Sequence, residues 1–184
     1  MRKTICAIVA VLCACIVTQA AEQEATMTQF TLSSPSFHNN QPIPAKHTGE
    51  GPDVSPALKW EGAPLGTKSF ALICDDPDAP VGTWLHWLIY DIPAKTTGLP
   101  ENVAKTDTVA ALGGAKQGIT DFGRAGYGGP MPPRGHGAHH YYFKLYALDA
   151  ELNLPAKATR KHLEDAMGGH VLAKAELIGT YERK

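Results

Sequence analysis

Two groups of side chains in this sequence have the types and spacing for chemistry. In the first, an apolar run ends in Asp75-Asp76-Pro77-Asp78-Ala79-Pro80, and a second apolar run then carries one ionisable residue, His86, between Trp84 and Trp87. The second is Pro132-Pro133-Arg134-Gly135-His136-Gly137-Ala138-His139-His140-Tyr141. Burying ionisable groups is costly unless they are partnered, so carboxylates and a histidine at strand ends call for an explanation beyond packing. Glycines allow close backbone approach, prolines give stiff apolar walls, and histidine and tyrosine supply donors that can reach an anion. Together these residues suit a small pocket for a phosphate or carboxylate group better than a catalytic machine. Asp76 would repel such a group. Its expected role is to accept a proton from an imidazole, fixing the tautomer and favouring the cationic form.

Plainer readings compete. Asp76 to Pro80 alone is an ordinary turn in which the aspartates bond their own backbone, and a lone strand histidine is often a satisfied core residue. His136, His139 and His140 are candidate metal ligands. No HExxH or paired-cysteine spacing supports zinc, however, and adjacent residues 139 and 140 point to opposite faces of a strand. No metal and no cofactor is expected. No serine lies in a GxSxG context, so nucleophilic catalysis is not expected either.

The elements that must position these groups are mostly strands. Phe30 to Leu32, Leu58 to Trp60, Ser69 to Asp75, Trp84 to Asp91, His139 to Leu148 and Ala175 to Glu182 have the length and alternation of strands. Residues Ser69 to Asp75 are apolar on both faces, which places that strand centrally. Strict alternation puts Trp84, His86, Leu88 and Tyr90 on one face of the next strand, and His139, Tyr141, Phe143 and Leu145 on one face of the later one. Residues Ser34 to Ala57 form a connection with five prolines, and Gly113 to Gly137 a loop with nine glycines and three prolines and no regular element. One helix is expected, capped by Thr159, with Leu163, Ala166 and Met167 as its stripe and Gly168-Gly169 as its stop. The expected fold is mainly β, sandwich-like, with one late helix.

With 184 residues, 43% of them hydrophobic, and a net charge of -1, the chain suits one domain and carries no footprint for nucleic acid or an anionic membrane. Arg2-Lys3, the apolar run Ile5 to Val17 and small residues at Thr18-Gln19-Ala20 read as a cleaved signal over residues 1–20. The run is short for a bilayer span. Export to the periplasm or outside, with a mature domain over 21–184, is expected over an anchor or lipidation at Cys15. Three of the four cysteines lie in this signal, leaving Cys74 as a small hydrophobe inside a strand.

Taken together, Asp76-Pro77-Asp78-Ala79-Pro80, Trp84-Leu85-His86-Trp87 and the Pro132 to Tyr141 block resemble the two signature blocks of the phosphatidylethanolamine-binding protein family, in its bacterial Raf-kinase-inhibitor-like branch. Ser34-Pro35-Ser36-Phe37, Ile43-Pro44, Ser55 to Trp60 and Gly126 to Pro130 extend the resemblance over the mature chain. It implies a Greek-key β-sandwich with an anion pocket carried by Asp76, Asp78, Pro80, His86, Pro133, His139 and Tyr141, with Trp84 against it. It also implies a cis Ala79-Pro80 bond and a non-enzymatic binding protein for a small anionic or phosphoryl ligand. Homodimers occur among relatives. Two alternatives stay open: a module that inhibits a kinase- or protease-like partner, and a hydrolase using His86 and His139 as acid and base. In the second block His140 stands where the family usually has arginine. Met131 stands where bacterial relatives often have cysteine.

Overall fold

The computed structural model describes residues 29–184. The expected signal segment lies outside them. Ten strands form two sheets: β1 (Thr31–Ser33), β2 (Gln41–Pro42), β3 (Leu58–Glu61), β4 (Ser69–Asp76), β5 (Trp84–Pro93), β6 (Gly98–Leu99), β7 (Thr108–Val109), β8 (Ala115–Gln117), β9 (Ala138–Leu148) and β10 (Val171–Glu182). The small sheet runs β1-β3-β6 and the large one β2-β10-β9-β4-β5-β8-β7. After the β4–β5 hairpin, β9 returns by a long connection to lie beside β4, a Greek-key step. The mainly β, sandwich-like expectation holds.

The two faces of β4 explain the layering. Phe70, Leu72 and Cys74 enter one core with Trp87, Ile89, Phe143 and Leu145, closed by Leu32, Leu58, Trp60 and Leu99 of the small sheet. Ala71 and Ile73 enter a second core with Leu85, Leu88 and Tyr90. That core is covered by α1 (Arg160–Met167) through Leu163 and Met167. A strand with apolar residues on both faces must be covered on both, and β4 is buried along its whole length. Thr159 caps α1 by accepting from the His162 backbone N–H, and the His162 ring accepts from the Thr159 N–H in return.

Two departures from simple alternation matter for the site. Cys74 pairs with Trp87 while Asp75 pairs with Leu85, so His86 is the extra residue of a β-bulge. Alternation placed His86 with Leu88 and Tyr90. The bulge instead leaves those two under the helix and turns His86 toward Tyr141 on the sandwich side. The second departure is β8, inside a loop expected to hold no regular element. Ala115-Lys116-Gln117 has neither β-branched nor alternating residues, and it is strand because the edge of β5 needs partners: Gln117 pairs with Ile89 and Lys116 with Tyr90. The chain then follows that edge irregularly, with backbone N–H groups of Gly118, Asp121 and Gly128 donating to the carbonyls of Leu88, Leu85 and His86.

The expected cis Ala79-Pro80 bond is not present; no peptide bond among the described residues is cis. The Gly82 N–H donates to the Ala79 carbonyl at 3.0 Å, which makes Pro80 the second residue of a β-turn. A trans proline is preset for that position, whereas a cis proline belongs one place later.

Candidate functional site

At one end of the sandwich a cavity of about 290 Å³ is lined by residues from three regions. Asp76 from the end of β4, Trp84 and His86 from β5, and His139 and Tyr141 from β9 supply its polar and aromatic floor. Ala79, Pro80 and Val81 form one wall, Phe122 another, and Met131, Pro132 and Pro133 the third.

Asp76 is 3% exposed and His139 2%, and their contact orders the floor: His139 Nδ1 lies 2.8 Å from Asp76 Oδ2. The other carboxylate oxygen accepts from the Asp78 backbone N–H at 2.8 Å. Asp76 is thus both the turn residue of the plain reading and the orienting partner of an imidazole. With Nδ1 committed to Asp76, the remaining nitrogen of His139, Nε2, lies 3.4 Å from His136 Nδ1.

His86 is held differently. Its Nδ1–H donates to the Gly128 carbonyl at 2.6 Å, and burial, the larger influence, pulls its pKa below the ordinary histidine value in spite of that bond. The ring is therefore neutral near pH 7. Edge-on contacts with Phe122 and Tyr141, at centroid separations of 5.3 and 5.1 Å, fix its plane. Tyr141 is 1% exposed; its hydroxyl makes no hydrogen bond of good geometry, although the Asp76 carboxylate lies close enough to act on it. Burial first, and then the nearby Asp76 charge, push its pKa far above the ordinary tyrosine range, so the phenol remains a donor. A buried unpaired hydroxyl lining a cavity is the feature a ligand would satisfy.

The glycine-rich loop carries Phe122 and the proline wall to the site. Leu85 N–H donates to Asp121 Oδ2 at 2.7 Å, and Gly129 N–H to Asp53 Oδ1 at 2.6 Å. Glycine is required at 128, because a Cβ there would run into the Phe122 ring. Beyond Pro133, Arg134 reaches the Lys184 carbonyl and, at 3.4 Å, Glu50; Gly49 N–H donates to the Pro130 carbonyl at 2.9 Å. The wall is braced from both ends of the domain.

Of the eight residues singled out from sequence, the cavity gathers Asp76, Pro80, Trp84, His86, Pro133, His139 and Tyr141. Asp78 is not among its lining residues. Its Oδ2 accepts from the His140 backbone N–H at 2.8 Å and the His140 ring at 2.7 Å, which ties the turn to β9 on the outside. Against a penalty from burial, those bonds hold the Asp78 carboxyl below its usual range. His140, in place of an arginine, keeps a cation-capable partner for Asp78. Ala79 and Pro132 lay within the two singled-out clusters but were not named as pocket residues, and sequence reasoning missed Val81, Phe122 and Met131 as lining residues. Phe122 had a signal, as the single large apolar residue between Ile119 and Tyr127. Cys74 is buried, and burial raises its thiol pKa well above the ordinary value, as a structural cysteine requires.

Fold and site together define a β-sandwich protein with an end pocket, and comparison with known proteins gives the family. A model of the phosphatidylethanolamine-binding protein family matches residues 33–182, and the chain belongs to that family. It is 55% identical over 151 residues to a UPF0098 protein of Aquifex aeolicus, covering 82% of this chain and 86% of that one. It is 42% identical over 137 residues to the UPF0098 protein YbcL of Escherichia coli, covering 73% and 75%. The crystal structure of YbcL superposes with a TM-score of 0.78 at 38% identity, covering 84% of this chain and 99% of YbcL. That of the homologue CT736 from Chlamydia trachomatis superposes at 0.75 and 38%, covering 84% and 98%.

Proposed function

We propose that this is a non-enzymatic binding protein whose end pocket takes a small anionic or phosphoryl group. The observation that carries the reading is the buried, unpartnered Tyr141 hydroxyl in the cavity floor, beside the His139 imidazole that Asp76 holds in place. Tyr141 donates to a ligand oxygen, and the His139 ring lies beside it in the cavity lining. Neutral His86, with Nδ1–H already committed, leaves Nε2 to accept from a protonated ligand oxygen or an ammonium group. Asp76 holds His139 and does not meet the anion. Trp84 and the proline wall exclude water, which strengthens each of these bonds. Asp78 belongs to the support of the turn.

The apolar mouth supports the reading further. Val81 is 76% exposed, Met131 42% and Phe122 37%, all on the rim. Exposed apolar side chains around a polar floor suit a ligand with an apolar substituent, and they also favour a second reading, a rim that docks a protein partner. An exported setting is consistent with the composition of residues 1–20, and export is part of the proposal. Among the described residues, no helix is long and apolar enough to cross a membrane.

Calorimetric titration of phosphate, acetate and phosphoethanolamine into wild type and His86→Ala tests the reading. Saturable heat with at least one anion, reduced tenfold or more in affinity by the substitution, is expected. An absence of heat with all three overturns it. A protein partner whose capture survives His86→Ala favours the second reading.

A further inference from the structure

His136 follows the proline wall on an exposed turn, between Gly135 and Gly137, whose φ values of 76° and 82° suit glycine. Its Nδ1 lies 3.4 Å from His139 Nε2, with the two rings tilted by 50° and their centroids 5.6 Å apart. For a hydrogen bond that is long, since contacts from a ring N–H cluster at roughly 2.7–3.2 Å. For two nitrogens sharing one tetrahedral metal ion it is the natural separation. Metal–nitrogen bonds of roughly 2.0–2.1 Å at a tetrahedral angle place the nitrogens roughly 3.3–3.4 Å apart.

The surroundings support the same conclusion. Metal-binding histidines commonly donate their second ring N–H to a carboxylate, which fixes the tautomer and raises the basicity of the coordinating nitrogen. His139 has that arrangement through Asp76, with both side chains buried. His136 is exposed, so an ion has a path from solvent. His140, the other histidine of the block, is committed to Asp78 and takes no part. The sequence offered His136, His139 and His140 as candidate ligands but no zinc-motif spacing, so a metal was not the favoured reading. The turn at Gly135 to Gly137 creates the convergence by folding His136 back over the start of β9.

We propose that His136 Nδ1 and His139 Nε2 form a two-imidazole site for a divalent transition-metal ion of the Zn²⁺ or Cu²⁺ class, at the edge of the cavity. Imidazole favours such ions over Mg²⁺ or Ca²⁺. No group of three or more histidine, cysteine, aspartate or glutamate side chains among the described residues is arranged to hold a metal. The remaining coordination positions are therefore open to water or to a ligand oxygen, and the affinity is modest. The site shares His139 with the anion pocket but needs neither Tyr141 nor His86.

The test is calorimetric titration of Zn²⁺ into the full chain, with Mg²⁺ as the hard-cation control. Saturable Zn²⁺ binding is expected, weakened tenfold or more by both His136→Ala and His139→Gln and unchanged by His140→Ala. His136 is on the surface, so its variant folds even if the buried His139→Gln does not. His86→Ala is expected to keep Zn²⁺ binding while losing the anion, which lets the two proposals fail separately. No Zn²⁺ binding, or an affinity in His136→Ala equal to that of wild type, overturns the site.

Discussion

At the scale of single residues, the pocket separates groups that hold from groups that contact. Tyr141 shows the difference. Its hydroxyl is buried and unpaired, which is a cost to the folded protein, while its ring packs in the main core. Tyr141→Phe is therefore expected to leave stability unchanged or slightly raised in a denaturant titration. The same substitution is expected to weaken anion binding by roughly 5- to 15-fold, the usual worth of one hydrogen bond of about 1–1.5 kcal/mol. Equal affinities in the two proteins would remove Tyr141 from the site. Asp76 was legible in the sequence as an orienting residue, because a carboxylate cannot anchor an anion. Asp78 was not legible as a support. Its role depends on the outward-facing His140, and only the register of β4 against β9 brings that partner near.

At the scale of elements, the site depends on one bulge and one loop. Period-two reading along β5 placed His86 on the wrong side of the sheet relative to Leu88, because a bulge adds a residue without any mark in composition. It succeeded along β9, where Tyr141, Phe143 and Leu145 share the main core. The difference is physical: β9 pairs without irregularity with β4 from Ser69 to Asp75, whereas β5 must bend to bring Trp84 and His86 to the cavity. The glycine-rich loop was legible as functional by its length, but its strand β8 was not, since the pairing comes from the edge of β5. The loop carries a second expectation. Gly128→Ala forces the Phe122 ring out of its contacts with Trp84 and His86. It should cost about 1–3 kcal/mol of stability, as overpacked sites do, and lower anion affinity as well. Thermal unfolding together with calorimetry checks both, and an unshifted midpoint would show that Phe122 moves freely.

At the scale of the whole molecule, two buried histidines set the dependence of stability on pH. His47 bonds Val54 O and Ser36 Oγ at 2.9 and 3.0 Å, and burial lowers its pKa, as it does for His86. Both groups bind protons more weakly in the folded state than in the unfolded state, whose value is near 6.5. Their contribution is thus fully present above that pH and is lost as pH falls below it toward the folded values. The unfolding midpoint should decline from pH 7.5 to pH 5, and less steeply in His86→Phe. A midpoint independent of pH over that window would show that neither ring is held neutral. The sandwich itself was legible from its runs of apolar residues, and the two apolar faces of β4 marked it as central; the helix packed over its second face was not read from the sequence. The trans Ala79-Pro80 turn was not, because the family resemblance pointed to cis while the local hydrogen bond from Gly82 favours trans.

The pocket's role is tested most directly by following the histidine ring resonances by NMR while phosphoethanolamine is added. His86 and His139 should shift together along one saturation curve, with His162 and His170, which lie away from the cavity, unmoved. Resonances that stay still throughout, or shifts confined to the surface histidines, would contradict an anion site in this cavity.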